Sequence, residues 1–214
     1  MANFQNEADV GIPARVNGER TVEFVSNIVR WVREGRVFTA SQGVEAVDIA
    51  TVSTEADVTP TCALQAPSSG IAVIPLRVFI ALTDDGGGLS KIDLSFTKAA
   101  AACATAMTLT GTDLNVQNHY TTNPQEDAQA TAIHGVTASA LTTTDYITLA
   151  HGEAVNAALT SGLMKFSDVF DYQFNYPLIL VEKAALLIHG YSGTSAGAIV
   201  PVITWAEVPI AELV

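Results

Sequence analysis

Near one end of the chain lies the stretch HGYSGTSAGAIVPVITWAEV, residues 189–208, which contains Gly193-Thr194-Ser195-Ala196-Gly197. G-x-S-x-G is the spacing of a hydrolase nucleophile elbow, where a sharp strand-to-helix turn exposes the serine hydroxyl and a histidine further along the chain takes its proton. The apolar run Ala184–His189 supplies a strand before the turn. The helix after it is missing. Residues 198–205 read AIVPVITW, β-branched and aromatic, which suits a pleated surface better than a helix. Pro201 breaks a helix there and is tolerated on an edge strand or at a bulge. No histidine follows Ser195, the last being His189. The stretch is therefore read as a turn of small residues between two strands, with Ser195 chemically idle.

The other reactive side chains are as dispersed. His119, His134, His151 and His189 stand far apart, without the short spacing that metal ligands show. Asp113, Asn115 and Gln117 alternate like the start of a calcium loop, but Asn118 stands where that loop needs glycine and Pro124 where it needs glutamate. Asp84 and Asp85 sit in a glycine turn, where aspartate is an ordinary turn residue. Asp168 and Asp171 fall on opposite faces of a strand and make no carboxylate pair. No phosphate-cradling glycine loop with its lysine occurs. The expectation is a protein that is not an enzyme, with no catalytic residue, metal or cofactor.

Composition turns attention from chemistry to surfaces. The 214 residues are 49% hydrophobic and only 15% charged, well under the usual quarter. A free-standing subunit normally covers itself with Lys, Glu, Arg and Asp. A surface of Ala, Thr, Val, Ser and Gly instead fits a chain covered by copies of itself, or a β-rich protein with Thr and Ser outside. The formal net charge of −12 argues against binding nucleic acid or anionic membranes. The densest basic stretch is Arg30, Arg33 and Arg36. Cys62 and Cys103 lack C-x-x-C spacing; a disulfide is left open, and two buried thiols acting as small hydrophobes is the preferred reading. MANFQNEADVGIP has no basic segment followed by an apolar one, so no signal peptide is expected, and no apolar run has the length of a membrane span.

The elements follow from periodicity. Residues 1–18 read as a polar arm and 19–214 as one domain. Over residues 20–34, Val22, Val25, Ile28, Val29 and Val32 recur at steps of three and four, which predicts a helix ended by Gly35. Beyond it the signal is strand and turn. A short strand is expected within Val47–Val52. Ile74, Leu76, Val78, Ile80 and Leu82 are expected on one face of a strand that pairs, through the glycine turn after Asp84, with the strand of Ile92, Leu94 and Phe96. AAAACATAM is ambiguous between helix and strand, residues 110–127 read as polar loop, and Tyr146–Leu149 as a short strand. Phe170, Tyr172, Phe174 and Tyr176 alternate with polar residues, as in a half-buried antiparallel strand. Strands over 178–189 and 198–206 close the chain. Many short strands with one early helix predict a mainly β fold, a jelly-roll β-sandwich preceded by a helix and an arm.

Two stretches carry a family resemblance: APSSGIAVIPLRVFIAL at 66–82, and PLILVEKAALLIHGYSGTSAGAIVPVITWAEVP at 177–209. Both resemble virion structural proteins, capsid or capsid-decorating, of tailless icosahedral phages and related environmental viruses. The resemblance implies a single jelly roll and a place in a virion assembled in the host cytoplasm. Its partners would be other copies of the chain, as a trimer, pentamer or hexamer, and other virion proteins. Direct nucleic-acid contact and membrane insertion are not expected. The expected assembly contacts are Val22, Val25, Ile28, Val29, Trp31 and Val32 of the helix, with Leu213 and Val214 of the PIAELV tail. The alternative is a trimeric tumour-necrosis-factor-like or lectin-like module that binds a receptor or glycan through its loops. The row Phe170, Tyr172, Phe174 and Tyr176 is its best feature, although core packing explains the same alternation.

Overall fold

A computed structural model of the chain describes residues 14–16, 22–24, 27–42, 48–52, 56, 58–84, 89–103, 106–121, 127–139, 141–155, 169–192 and 197–213. Among these residues are fourteen strands: β1 Ala14–Val16, β2 Val22–Phe24, β3 Val37–Ser41, β4 Ile49–Ala50, β5 Cys62–Gln65, β6 Ile71–Asp84, β7 Leu89–Thr97, β8 Thr108–Asp113, β9 Asn115–Asn118, β10 Thr131–Ser139, β11 Tyr146–Val155, β12 Val169–Gln173, β13 Ala185–Ser192 and β14 Ala198–Pro209. One short helix, α1, spans Asn27–Arg33. Two antiparallel sheets hold most of the strands, one ordered β12-β6-β14-β3-β9 with β4 beside β14, the other β11-β7-β13-β5-β10-β8. The fold is mainly β, as composition and periodicity predict.

One hydrophobic core lies between the sheets. Phe38, Val78, Ile80, Ile203 and Trp205 enter it from the first sheet; Leu64, Ile92, Leu94, Leu186 and Ile188 enter from the second. Removing side chains of this size from water stabilises by about 1.5–3 kcal/mol each. β13 shows why its sequence is apolar without a break. Leu186 and Ile188 face this core, while Ala185 and Leu187 point the other way into a second cluster with Ile133, Cys103, Met107 and Leu141. Ala100, Cys103, Met107 and Leu141 thus cover part of the outer face of the second sheet. At the other end of the sandwich, Gly152 on β11 lies against the Phe170 ring of β12; a β-carbon there would come within 2.7 Å of it.

Several expectations change. The helix expected over 20–34 is Asn27–Arg33, and Val22 lies instead in β2, which pairs with β1 inside the expected arm. β-branched residues at 21, 22 and 25 favour extended backbone over a longer helix. β6 and β7 do not form a hairpin. Each already has two neighbours in its own sheet, β12 and β14 for β6, β11 and β13 for β7, so the segment between them crosses from one sheet to the other. The single face expected along β6 is broken as well. Thr204 pairs with Arg77 and Trp205 with Pro75, which leaves Leu76 as a bulge. The bulge reverses the alternation: Val78, Ile80 and Leu82 face the core, and beyond it Val73 rather than Ile74 joins them. Pro201 is on a central strand, not an edge; it lies between the part of β14 paired with β4 and the part paired with β3, so its missing N–H interrupts neither ladder. Residues 110–127, expected as loop, include most of β8 and all of β9, and the described part of the alanine run holds a 3-10 turn at Ala100–Ala102.

Candidate functional site

The expected assembly contacts lie on α1 and at the tail. Ile28 and Val29 are 49% and 45% exposed, and no residue of α1 is fully buried. Trp31 and Val32 are half-buried. Leu213 is 40% exposed just after the 3-10 turn Ile210–Glu212. The Arg36 guanidinium joins the two regions, donating to both oxygens of Glu212 at 2.7 and 3.0 Å. Val25 and Val214, and Gly193–Ala196 with Ser195, lie outside the described residues, as do Asp85 and Asp168.

The outer face of the first sheet carries little charge in its central rows. Register places Asp171, Phe79, Val202, Ser41 and Asn115 in one row, and Gln173, Arg77, Thr204, Thr39 and Gln117 in the next. Its only charges in these rows form one bidentate pair, Arg77 to Asp171, with both bonds at 2.8 Å. Arg77 holds the Asp171 carboxyl below its ordinary range. Thr39 bonds to Thr204 at 3.0 Å and to His119 at 2.5 Å, so neutral hydrogen bonds tie the strands together across the face.

At the β9 and β10 margin the sandwich opens as a groove of about 350 Å³. Phe38, Leu114, Val116, Ala130 and Ala132 make its apolar floor and walls; Asp113 and Asp127 stand exposed on its rim. One wall is held by Glu207, which is 6% exposed on β14. Its carboxylate accepts from Gln129 N–H and Ala130 N–H, both at 2.9 Å, and from Trp205 Nε1–H at 3.0 Å. Asn118 Nδ2 donates to Gly35 O at 2.6 Å and so fixes the groove beside the residue that follows α1. Gly35 has φ +71°, the left-handed conformation expected of a residue that ends a helix.

A polar cluster crosses the outer face of the second sheet. His151 on β11 bonds through Nδ1 to Asp93 and through Nε2 to Glu153, the latter at 3.1 Å. Tyr191 donates its hydroxyl to Asp93 at 3.1 Å, and Lys91 lies 3.4 Å from Glu153. The two carboxylates raise the His151 pKa and, in return, His151 lowers that of Glu153. The four histidines stay dispersed: His119 and His151 are exposed, His134 is half-buried and His189 is buried. Among the described residues no three His, Cys, Asp or Glu side chains converge as metal ligands, and no helix is long and apolar enough to cross a membrane. Cys62 and Cys103 are buried free thiols, and burial pushes both pKa values up. Phe170, Tyr172 and Phe174 pack against the core, while Tyr176 is 87% exposed.

Sequence reasoning missed the groove and Glu207. The signal for Glu207 was available: an acidic residue two positions from Trp205 in an apolar strand shares the core-facing side with it. The groove joins residues far apart in the chain, and no local pattern announces it. Comparison with protein-family models, curated proteins and solved structures finds no match to this chain.

Proposed function

We propose that the chain is a structural subunit of a viral capsid, built on a jelly roll and assembling with copies of itself and other virion proteins. The observation that carries this reading is the pairing order. Among β3, β5, β6, β7, β11, β12, β13 and β14, the first pairs with the last, the second with the next to last, and so inward: β3 with β14, β5 with β13, β6 with β12, β7 with β11. Nested pairs are a long hairpin. The added pairs β6 with β14 and β7 with β13 roll it into two sheets, which supports the jelly-roll reading. On this reading β8, β9 and β10 are an insertion between β7 and β11 that widens both sheets. The near-neutral face of the first sheet supports association, because copies that each carry a formal −12 must meet where that charge is absent.

Light scattering on the purified protein, followed by negative-stain imaging, tests the reading. Closed particles, or regular pentamer or hexamer rings, are expected; a stable monomer at high concentration refutes it. Tyr176, 87% exposed beside Ile179 at 47%, favours a second reading, a trimeric binding module. A discrete trimer that binds a glycan array and loses binding on Tyr176→Ala would establish that one.

A further inference from the structure

We propose that helix α1 of one copy docks in the acidic-rimmed groove of a neighbouring copy. The inference rests on the self-assembly reading and names the two surfaces that meet. A helix of seven residues is too short to hold itself together in water and depends on packing. Yet α1 buries none of its residues fully, and Ile28 stands half in solvent. It also carries the densest basic stretch of an acidic chain. Arg30 is paired with Glu34 at 2.7 Å, and Arg36 is engaged by Glu34 and Glu212. Arg33 is exposed, and among the described residues no carboxylate pairs with it. Val29, 45% exposed and one helical turn before Arg33, shares its face, so the helix offers an aliphatic side chain and an available guanidinium on the same short surface.

The groove has the complementary character. Its floor is apolar, its volume of about 350 Å³ admits one or two aliphatic side chains, and its rim bears Asp113 and Asp127. No described cation pairs with either carboxylate. Val29 would fill the floor while Arg33 meets the rim. That arrangement removes apolar surface from water and places opposite charges together, which both holds partners and sets their register. A second copy is the fitting occupant because it presents the matching surface at the same concentration as the groove. The Asn118 bond to Gly35 keeps lock and key adjacent in each chain, so every copy offers both.

Charge reversal on the full-length protein tests this, with mass followed by light scattering against concentration and folding checked by circular dichroism. Arg33→Glu and Asp127→Lys are each expected to weaken association at least about tenfold, since like charges then face one another. The double variant is expected to recover to within about threefold of wild type, the sign of direct coupling. Val29→Ser is expected to weaken association without rescue by either charge change. Single reversals that leave the mass distribution unchanged, or a double variant as defective as the singles, overturn the docking while the self-assembly reading stands. A monomeric wild type overturns both.

Discussion

Replacing Glu207 with alanine tests how the groove wall is held. Three donors converge on this carboxylate: the N–H groups of Gln129 and Ala130, and Nε1–H of Trp205. Trp205 is fully buried and stacks on Phe38 with ring centroids 5.9 Å apart; Ala130 is 6% exposed. Gln129 is exposed to water once the carboxylate is gone, whereas Trp205 and Ala130 are buried. Each orphaned buried donor costs about 1–3 kcal/mol. With the lost packing, Glu207→Ala is expected to destabilise by about 3–5 kcal/mol, the scale of a broken buried charged network. For a chain of this length each kcal/mol moves Tm by about 2–4 °C, so the midpoint should fall by about 6–20 °C. Glu207→Gln keeps a carbonyl oxygen for Ala130 and Trp205 and turns its NH2 toward Gln129 N–H; its cost should be about 1–2 kcal/mol. Urea unfolding followed by tryptophan fluorescence measures both. Hydrogen exchange should also show the amides of Gln129 and Ala130 opening before the sheets do. An alanine variant that unfolds together with wild type would refute the tether.

Two further outcomes follow from local geometry. In the turn Val181–Ala184, Glu182 and Lys183 have φ of 52° and 62°, and Ala184 N–H donates to Val181 O at 2.8 Å. Both central residues lie where Asn-Gly is favoured, so Glu182→Asn with Lys183→Gly should stabilise by about 1 kcal/mol; a lower Tm would contradict that geometry. On β11, His151 faces Asp93 and Lys91 of β7, Glu153 on its own strand and, through Asp93, Tyr191 of β13. Its pKa is raised in the folded state, so its contribution is fully present below its ordinary value of 6.5 and is lost as pH rises through the folded value. Glu153, lowered from 4.5, contributes above that value and loses its contribution as pH falls through the folded one. With the intrinsic base catalysis of exchange divided out, the β11 amides should therefore be more protected near pH 5.5 than near pH 8.5, and His151→Asn should abolish that difference in protection; an equal protection response in the variant would remove the His151 link.

What was legible in the sequence depended on how far apart the deciding residues lie. Alternation in Ile92, Leu94 and Phe96 is a property of one strand, and it predicts the core face correctly. The same alternation in β6 fails at Leu76, because a bulge is set by the partner strand and leaves no mark in the strand's own pattern. Glycines after Asp84 announce a reversal of direction but not which sheet receives the next strand; that follows from β14 and β13 taking the inner edges of β6 and β7. β8 and β9 were hidden because exposed strands of Thr, Asn and Gln carry little hydrophobic signal. The α1 contacts were legible as an apolar stripe, while their complement was not. Phe38, Asp113 and Asp127 meet only because the segment after β7 returns to both sheet margins.

That return makes the sandwich asymmetric, and the asymmetry bears on where neighbours can sit. Ala100, Cys103, Met107 and Leu141 bury part of the outer side of β5, β10 and β13, so that part of the sheet is covered on both faces by its own chain. The first sheet has no such cover over Thr39, Phe79, Val202 and Thr204 among the described residues. The chain thus uses the segment after β7 to hide part of one sheet and to shape a groove at the margin, while the other sheet keeps a face whose two central rows carry a single internally neutralised ion pair. A face built that way lacks the charge that normally keeps exposed sheets from associating. Placing a charge at its centre, where Val202 lies between Phe79 and Ser41, would restore that safeguard without touching the core-facing Ile203.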